Sequence, residues 1–311
     1  MGWTGRQFHN QPEDSHQHGF LVDLWREVST RTLGQVEITV HPRNNGEPGS
    51  DPRVLEMIVS GELEFATMMG PLIANRVPAA EIQGVPFAFA DSAQVHQTLD
   101  GPLGDYLRSE MASHGIYALP YGLLENGFRQ VCSVSRQVLG VDDLAGYRMR
   151  VPAGRVFTEL FTELDAEPVV VNIDGLYDAL ATGRVDGHEN PLAITEVNDL
   201  YKVTRHVALT NHVWSGFNLI GNLKVWNALP AEAQAAIHAA VRAHVARQRA
   251  STVALNCALE TTLAKRGMRV DAVDQAAFRA RLGAGFYRKL RGRCGDAAWR
   301  LLETSVGALP G

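Results

Sequence analysis

The sequence predicts an α/β protein built as two lobes. Three observations carry that expectation. Segments of strand and helix character alternate along most of the chain, the pattern of mixed α/β architecture. The chain has 311 residues, 45% of them hydrophobic, enough for more than one core. One helical stretch, Pro230 to Arg266, would be roughly 50 Å long at 1.5 Å per residue, longer than a small lobe.

The elements follow in order. His18 to Arg31 has helical spacing, with Phe20, Leu21, Leu24, Trp25 and Val28 inward. "QVEITVHP" alternates strictly and reads as a strand stopped by Pro42. "NNGEPGS" is a loop; Ser50 or Asp51 is the expected cap of the next helix, which Gly61 ends. "LEFATMM" is a short buried strand, and "QGVPFAFAD" an extended apolar segment. Ser92 to Gly115 is helical and broken near Gly101-Pro102, because proline opens a helix better than it continues one. "IYALPYGLLENGFRQVCSV" reads as two strand pieces broken around Glu125-Asn126-Gly127.

"GYRMRVPAGRVFTELFTEL" then changes period, from strand alternation to helical recurrence at Val156, Phe157, Leu160, Phe161 and Leu164. "EPVVVN" is a strand, "IDGLYDALATG" a helix, and "RVDGHENP" a strand running into a turn. "HVALTNHVWSGFNLIGN" reads as further strand. In the long helix Ile237, Val241 and Val245, then Leu255, Leu259 and Leu263, recur every four residues. The C-terminal part, "DQAAFRARLGAGFYRKLRGRCGDAAWRLLETSVG", is helical, with "GAGF" at Gly283 read as a helix break.

Composition excludes several functions. The formal net charge is -5 with no long basic block, which argues against nucleic acid and against a polybasic membrane patch. No run approaches the ~18 apolar residues of a membrane helix. Cys132, Cys257 and Cys294 lie far apart and have no metal spacing. Free thiols are expected, with a Cys257–Cys294 disulfide as the alternative in an oxidising compartment. "MGWTGRQFHNQPEDSHQHGF" is polar and has no apolar signal core. Read literally, the chain is cytoplasmic; a removed leader or a displaced start is the other reading.

No phosphate loop or nucleophile elbow is present in the sequence. "HQH" puts His16 and His18 on different helix faces, and "DGHEN" has no second ligand cluster nearby, so neither metal nor cofactor is expected. What remains is arginine. Arg129, Arg148 and Arg150 fall on expected strands. The ordinary account of such a side chain is an ion pair or a snorkelling stem at a strand end, and that account suits Arg148. Arg150 has no acid within its strand, stands at the strand's carboxyl end beside a helix N-terminus, and carries a fork that matches a carboxylate. Its position suits capture of a small organic acid.

The stretches "NGFRQVCSVSRQVLGVDDLAGYRMRVPAG", "EPVVVNIDGLYDALATGRVDGHENPL" and "TNHVWSGFNLIGN" resemble the DctP-type solute-binding proteins of TRAP (tripartite ATP-independent periplasmic) transporters. "GSDPRVLEMIVSGELEFATM", "GVPFAF" and "LPAEAQAAIHAAV" fit the same pattern in order, so the resemblance covers nearly the whole chain. It implies a two-lobed periplasmic-binding-protein fold, with hinge strands and the long helix spanning both lobes. Residues 1–124 and 215–252 would form one lobe, and 125–214 and 253–311 the other. It implies a monomer that closes on an organic acid and hands it to membrane permease subunits. Arg150 matches the family arginine that clamps the carboxylate, Arg129 a second basic contact, and Asn190 an amide that touches ligand. Ile173, Trp214 and Phe217, and in the first lobe Met69 and Phe87, line up with segments that face the cleft.

There are departures from the family pattern. No leader is seen, and the first strand is shortened to "MGWTGRQF", which is expected to weaken the first sheet or remove a cleft contact. Periplasmic location is thus implied by the resemblance alone. The expected ligand is a sugar acid such as a uronate, or a C4-dicarboxylate; Glu125, Asn126, Asn172, His188, Asn211 and His212 supply a polar mix that suits hydroxyls. The other readings are a cytosolic enzyme with His188 or Glu189 as general base, and a ligand-sensing ectodomain.

Overall fold

The computed structural model describes residues 2–310. The chain opens with β1 (Trp3–Phe8), α1 (His16–Arg31), β2 (Val36–His41), α2 (Ser50–Ser60), β3 (Phe65–Met68) and a single turn, α3 (Gly70–Ile73). Two helices follow, α4 (Ser92–Asp100) and α5 (Pro102–Ser113), then the long strand β4 (Ile116–Phe128). Next come β5 (Gln130–Ser133), β6 (Arg148–Val151), α6 (Arg155–Glu163), β7 (Glu167–Val170), α7 (Leu176–Ala181), β8 (Gly187–Asn190), α8 (Leu192–Val197) and β9 (His206–Leu209). The chain ends with β10 (Trp214–Asn222), α9 (Leu223–Ala228), α10 (Ala231–Lys265), β11 (Arg269–Ala272), α11 (Gln275–Cys294) and α12 (Asp296–Val306).

The strands form two sheets, in the orders β2-β1-β3-β10-β4 and β11-β9-β5-β8-β6-β7. The chain crosses from the first to the second between β4 and β5, at Arg129, and returns between β9 and β10 through residues 210–213. The long helix α10 serves both sheets. Its first half buries Ile237, Ala240, Val241 and Val245 in the core around β1, β3 and α1. Its last turns bury Leu259 and Leu263 with Cys132, Val207 and Met268 beside the second sheet. A third core lies under α11 and α12 and draws on residues of both halves. Leu99, Leu103 and Leu107 meet Phe157, Phe161, Phe286 and Trp299 there.

Several expectations are corrected. The first strand is not deficient: β1 pairs six residues with β2 and also pairs with β3, so it sits inside the sheet. The break expected at Glu125-Asn126-Gly127 is instead a bulge. Asn126 is the extra residue, between the Glu125–Gly216 and Gly127–Ser215 pairs, with Gly127 beside it at φ 120°, and β4 continues to Phe128. "QGVPFAFAD" is not extended, because a 3-10 turn over Pro78–Gly84 leads into an irregular segment. Neither Ser50 nor Asp51 caps α2, whose N-cap is Gly49. Phe20 is only half-buried. All three cysteines are free: Cys257 is exposed on α10, whereas Cys294 is buried under α12. Gly283 does break α11, at φ 61°. Among the described residues no helix is long and apolar enough to cross a membrane.

Candidate ligand-binding site

The site is assembled where loops from both sheets meet. β6 delivers Arg150 at its carboxyl end, directly before the turn into α6. The side chain is 2% exposed, and its only hydrogen bond among the described residues runs from Nε to the Val171 carbonyl, 2.7 Å. No acid lies within ion-pairing distance of it among the described residues. Burial lowers its pKa to about 10, with like-charged Arg129 adding to that and Glu189, Asp51 and Asp174 opposing it. It therefore stays a cation at any physiological pH, with Nη1 and Nη2 free of protein acceptors.

Arg129 has a different environment. Its Nε and Nη2 bind the Glu189 carboxylate, and Nη2 also donates to Asn190 Oδ1 at 3.1 Å. Its guanidinium lies 4.9 Å from the centre of the Phe157 ring. Glu189 is fully buried, and His212 Nε2 is 3.1 Å from it. Burial alone would raise the Glu189 pKa, but Arg129 and His212 hold it at about 2. The pair is therefore an internal, neutralised unit, and only Nη1 of Arg129, 3.4 Å from Ser215 Oγ, lacks a carboxylate.

Asn190 is oriented by its neighbours. Its Oδ1 accepts from Arg129, so Nδ2 is the atom facing His188 Nδ1 at 3.0 Å. That assigns the His188 proton to Nε2, which has no partner. His188 is paired in register with Arg150 and fully buried, and burial and the adjacent Arg150 lower its pKa to about 3. His9, also buried and facing His18, is likewise lowered to about 3.

These two histidines give a pH prediction. Each is neutral in the fold but binds a proton near pH 6.5 when unfolded. The unfolded state thus takes up more protons between those values. Their contribution is complete above pH 6.5 and is lost as pH falls from 6.5 toward 3, by up to about 1.4 kcal/mol per pH unit for each group. Urea unfolding followed from pH 7.5 to 5 should show a falling midpoint. In His188→Gln the slope should be shallower by about one proton; an unchanged slope would contradict the assignment.

The first sheet contributes the opposite wall. Asn10 and Gln11 follow β1, Asp51 lies in the first turn of α2, and Met69 and Leu72 follow β3. The Asp51 carboxylate accepts Asn10 Nδ2 on Oδ2 and Asn44 Nδ2 on Oδ1, each at 2.8 Å, while burial raises its pKa. Together with Asn126, Asn172, Asn190, Ile173 and Phe217 these residues line a narrow cavity between the two sheets. Ser50 Oγ donates to Asp174 Oδ2 at 3.1 Å across its mouth, and Asn75 Nδ2 to the Ala153 carbonyl at 3.3 Å.

Of the residues singled out in the sequence, Arg150, Arg129, Asn190, Ile173, Phe217 and Met69 all line this cavity. Trp214 and Phe87 do not. Trp214 donates from Nε1 to Glu125 Oε1 at 2.7 Å inside the core. Two residues separate it from Phe217 on β10, an odd step of three, so the two side chains leave opposite faces of the strand. Phe87, at φ 53°, lines a surface groove with Phe89 and Phe128. Glu125, His188, Asn211 and His212 are also outside the lining, whereas Asn126 and Asn172 are in it. Arg148 makes the expected ion pair, with Asp186. Asn10, Gln11 and Asp51 were missed. An acid in a first helical turn reads as a cap or a dipole partner, and nothing in its spacing says that it faces inward.

A model of the bacterial extracellular solute-binding proteins, family 7 (DctP), matches residues 8–289. The chain belongs to that family. It is a solute-binding protein and not an enzyme, so Glu189 and His188 have no base to supply. A solute-binding protein of Verminephrobacter eiseniae is 31% identical over 272 residues, 87% of this chain and 80% of that one. The C4-dicarboxylate-binding periplasmic protein DctP of Rhodobacter capsulatus is 29% identical over 214 residues, 68% of this chain and 62% of that one. Among solved structures, a TRAP periplasmic solute-binding protein from a Polaromonas species, bound to D-erythronate, superposes with a TM-score of 0.90. It is 26% identical, and the match covers 98% of this chain and 99% of that one. DctP-family structures share the two-lobed α/β fold seen here.

Proposed function

We propose that the protein captures a hydroxylated monocarboxylate, a sugar acid, in the periplasm and passes it to TRAP-type membrane permease subunits, acting as a monomer. The observation that carries this reading is Arg150: a buried cation whose two terminal nitrogens have no acceptor among the described residues, in a cavity whose other polar lining is five amides, Arg129 and Asp51. A planar fork of this kind binds a carboxylate through two parallel hydrogen bonds. Arg129 Nη1 and Asn190 add donors, and Met69, Ile173 and Phe217 form the apolar walls. Micromolar affinity corresponds to about 8 kcal/mol, more than one ion pair supplies. The amides Asn10, Gln11, Asn126 and Asn172 must account for the remainder through hydroxyls.

A C4-dicarboxylate, the ligand named for the Rhodobacter relative, is the second reading. It is disfavoured because Arg129 is already neutralised by Glu189, and because Asp51 places a carboxylate on the opposite wall. A thermal-shift screen of uronates, aldonates, C4-dicarboxylates, 2-oxoacids and sialic acid tests the choice. Ligand bound only by the folded state raises the melting temperature by mass action. Sugar acids are expected to give the largest rise; a rise with dicarboxylates alone would replace this reading by the second.

Closure over the ligand follows from the same arrangement. The chain crossings at Arg129 and at residues 210–213 would serve as hinges, and Ser50–Asp174 and Asn75–Ala153 as contacts made on closing. Ser50→Ala is expected to weaken ligand binding by about two- to tenfold, the worth of one such hydrogen bond, chiefly through faster release. Stopped-flow dissociation would check it, and an unchanged release rate would remove Ser50 from the closed-state contacts.

A further inference from the structure

Gln11 follows β1 and is only 3% exposed, yet it lines the cavity and its Oε1 has no hydrogen-bond partner. Its peptide is fixed on both sides: Gln11 N–H donates to His9 Nδ1 at 3.2 Å, and its carbonyl accepts from the Arg43 N–H at 2.9 Å. The side-chain orientation is dictated from further back. Asp51 receives an amide N–H on each carboxylate oxygen, from Asn10 and from Asn44, and these two donors favour the ionised form against the burial that raises its pKa. Asn10 must therefore turn Nδ2 toward Asp51, leaving Oδ1 as an acceptor. Gln11 must then turn Nε2 toward that Oδ1, 2.7 Å away. Gln11 Oε1 is what remains: a buried acceptor whose polarity is set two side chains away.

We propose that Gln11 is a specificity residue of the ligand site, requiring a hydroxyl on the bound acid to donate to Oε1. This deepens the sugar-acid reading and rests on it. A buried acceptor left without a donor is costly, so a hydroxyl there is favoured. An anionic oxygen in the same place meets a second acceptor and is rejected. With both Asp51 oxygens accepting amide N–H groups, the relay presents an acceptor to the cavity rather than an N–H. The site thus discriminates between a hydroxy acid and a dicarboxylate of similar size through Gln11, in addition to the Asp51 carboxylate on the same wall.

Calorimetric titration with D-erythronate, D-galactonate, D-galacturonate and succinate tests this on the parent, Gln11→Met, Asp51→Asn and Arg150→Ala. The parent should prefer one or more of the hydroxy acids to succinate. Gln11→Met should weaken those hydroxy acids about tenfold and leave succinate unchanged. Asp51→Asn, which allows the amides to reverse, should narrow the preference for hydroxy acid over succinate. If Gln11→Met lowers the melting temperature of the unliganded protein, Asp51→Asn decides. Hydroxy acids bound equally by the parent and both variants would overturn the proposal, as would a parent that prefers succinate or binds no hydroxy acid. Binding that survives Arg150→Ala is a separate failure, of the carboxylate site itself.

Discussion

Arg150→Ala is expected to abolish measurable ligand binding, with Kd rising by a factor of about 30 to several thousand. That range corresponds to the roughly 2–5 kcal/mol lost when one member of a buried charged pair is truncated. The unliganded protein should melt close to the parent temperature. Arg150 is desolvated, makes one hydrogen bond and has no ion-paired acid, so the fold gains little from its charge. The combination distinguishes a ligand-directed residue from a structural one: the ligand-induced rise in melting temperature disappears while the baseline stays. Arg150→Lys should fall between, because it keeps the charge and loses the fork. A variant that binds within a few-fold of the parent would put the carboxylate elsewhere.

Glu189→Gln should do the reverse, damaging the fold first. It removes the one carboxylate that neutralises Arg129, 1% exposed, and leaves His212 facing an amide. Breaking a buried pair from one side typically costs about 3–5 kcal/mol, since a buried charge is left uncompensated. The expected result is a large drop in the urea midpoint. The double variant Arg129→Met/Glu189→Gln should recover part of it, because the stranded charge is gone. The pH dependence has a definite sign. Glu189 titrates near 2 in the fold against about 4.5 unfolded. Its contribution is present above pH 4.5 and lost as pH falls from 4.5 toward 2, a loss that Glu189→Gln should no longer show. A single variant as stable as the parent would mean that Arg129 is solvated or paired otherwise.

The contrast between these arginines shows where sequence reasoning ended. Both were expected on strands, though Arg129 stands in the crossing between β4 and β5, and the family pattern assigned both to the ligand. Their division into a free fork and a neutralised support depends on Glu189, 60 residues from Arg129 and brought beside it by the antiparallel pairing of β5 and β8. Trp214 and Phe217 make the same point at short range. Both were expected in the cleft, but strand alternation sends them to opposite sides, and only the register of β10 says which one faces the ligand.

The sequence by itself determined the α/β class, most of the longer helices and strands, the long helix, and the arginine near the end of β6, while the short elements α3, α8, α9 and β11 were not read from it. Each of these follows from local periodicity, from proline and glycine positions, or from a motif within a few residues. The tertiary structure alone decided the polarity of the site. Asn10, Gln11 and Asp51 are ordinary turn and helix-start residues until β1 and α2 bring them together with Asn44, 41 residues separating Asn10 from Asp51. Hydrogen-bond direction then passes from a carboxylate whose two oxygens both accept, through one amide to the next. Residue order carries no record of that direction, because it arises from contacts that exist only once the sheets are packed.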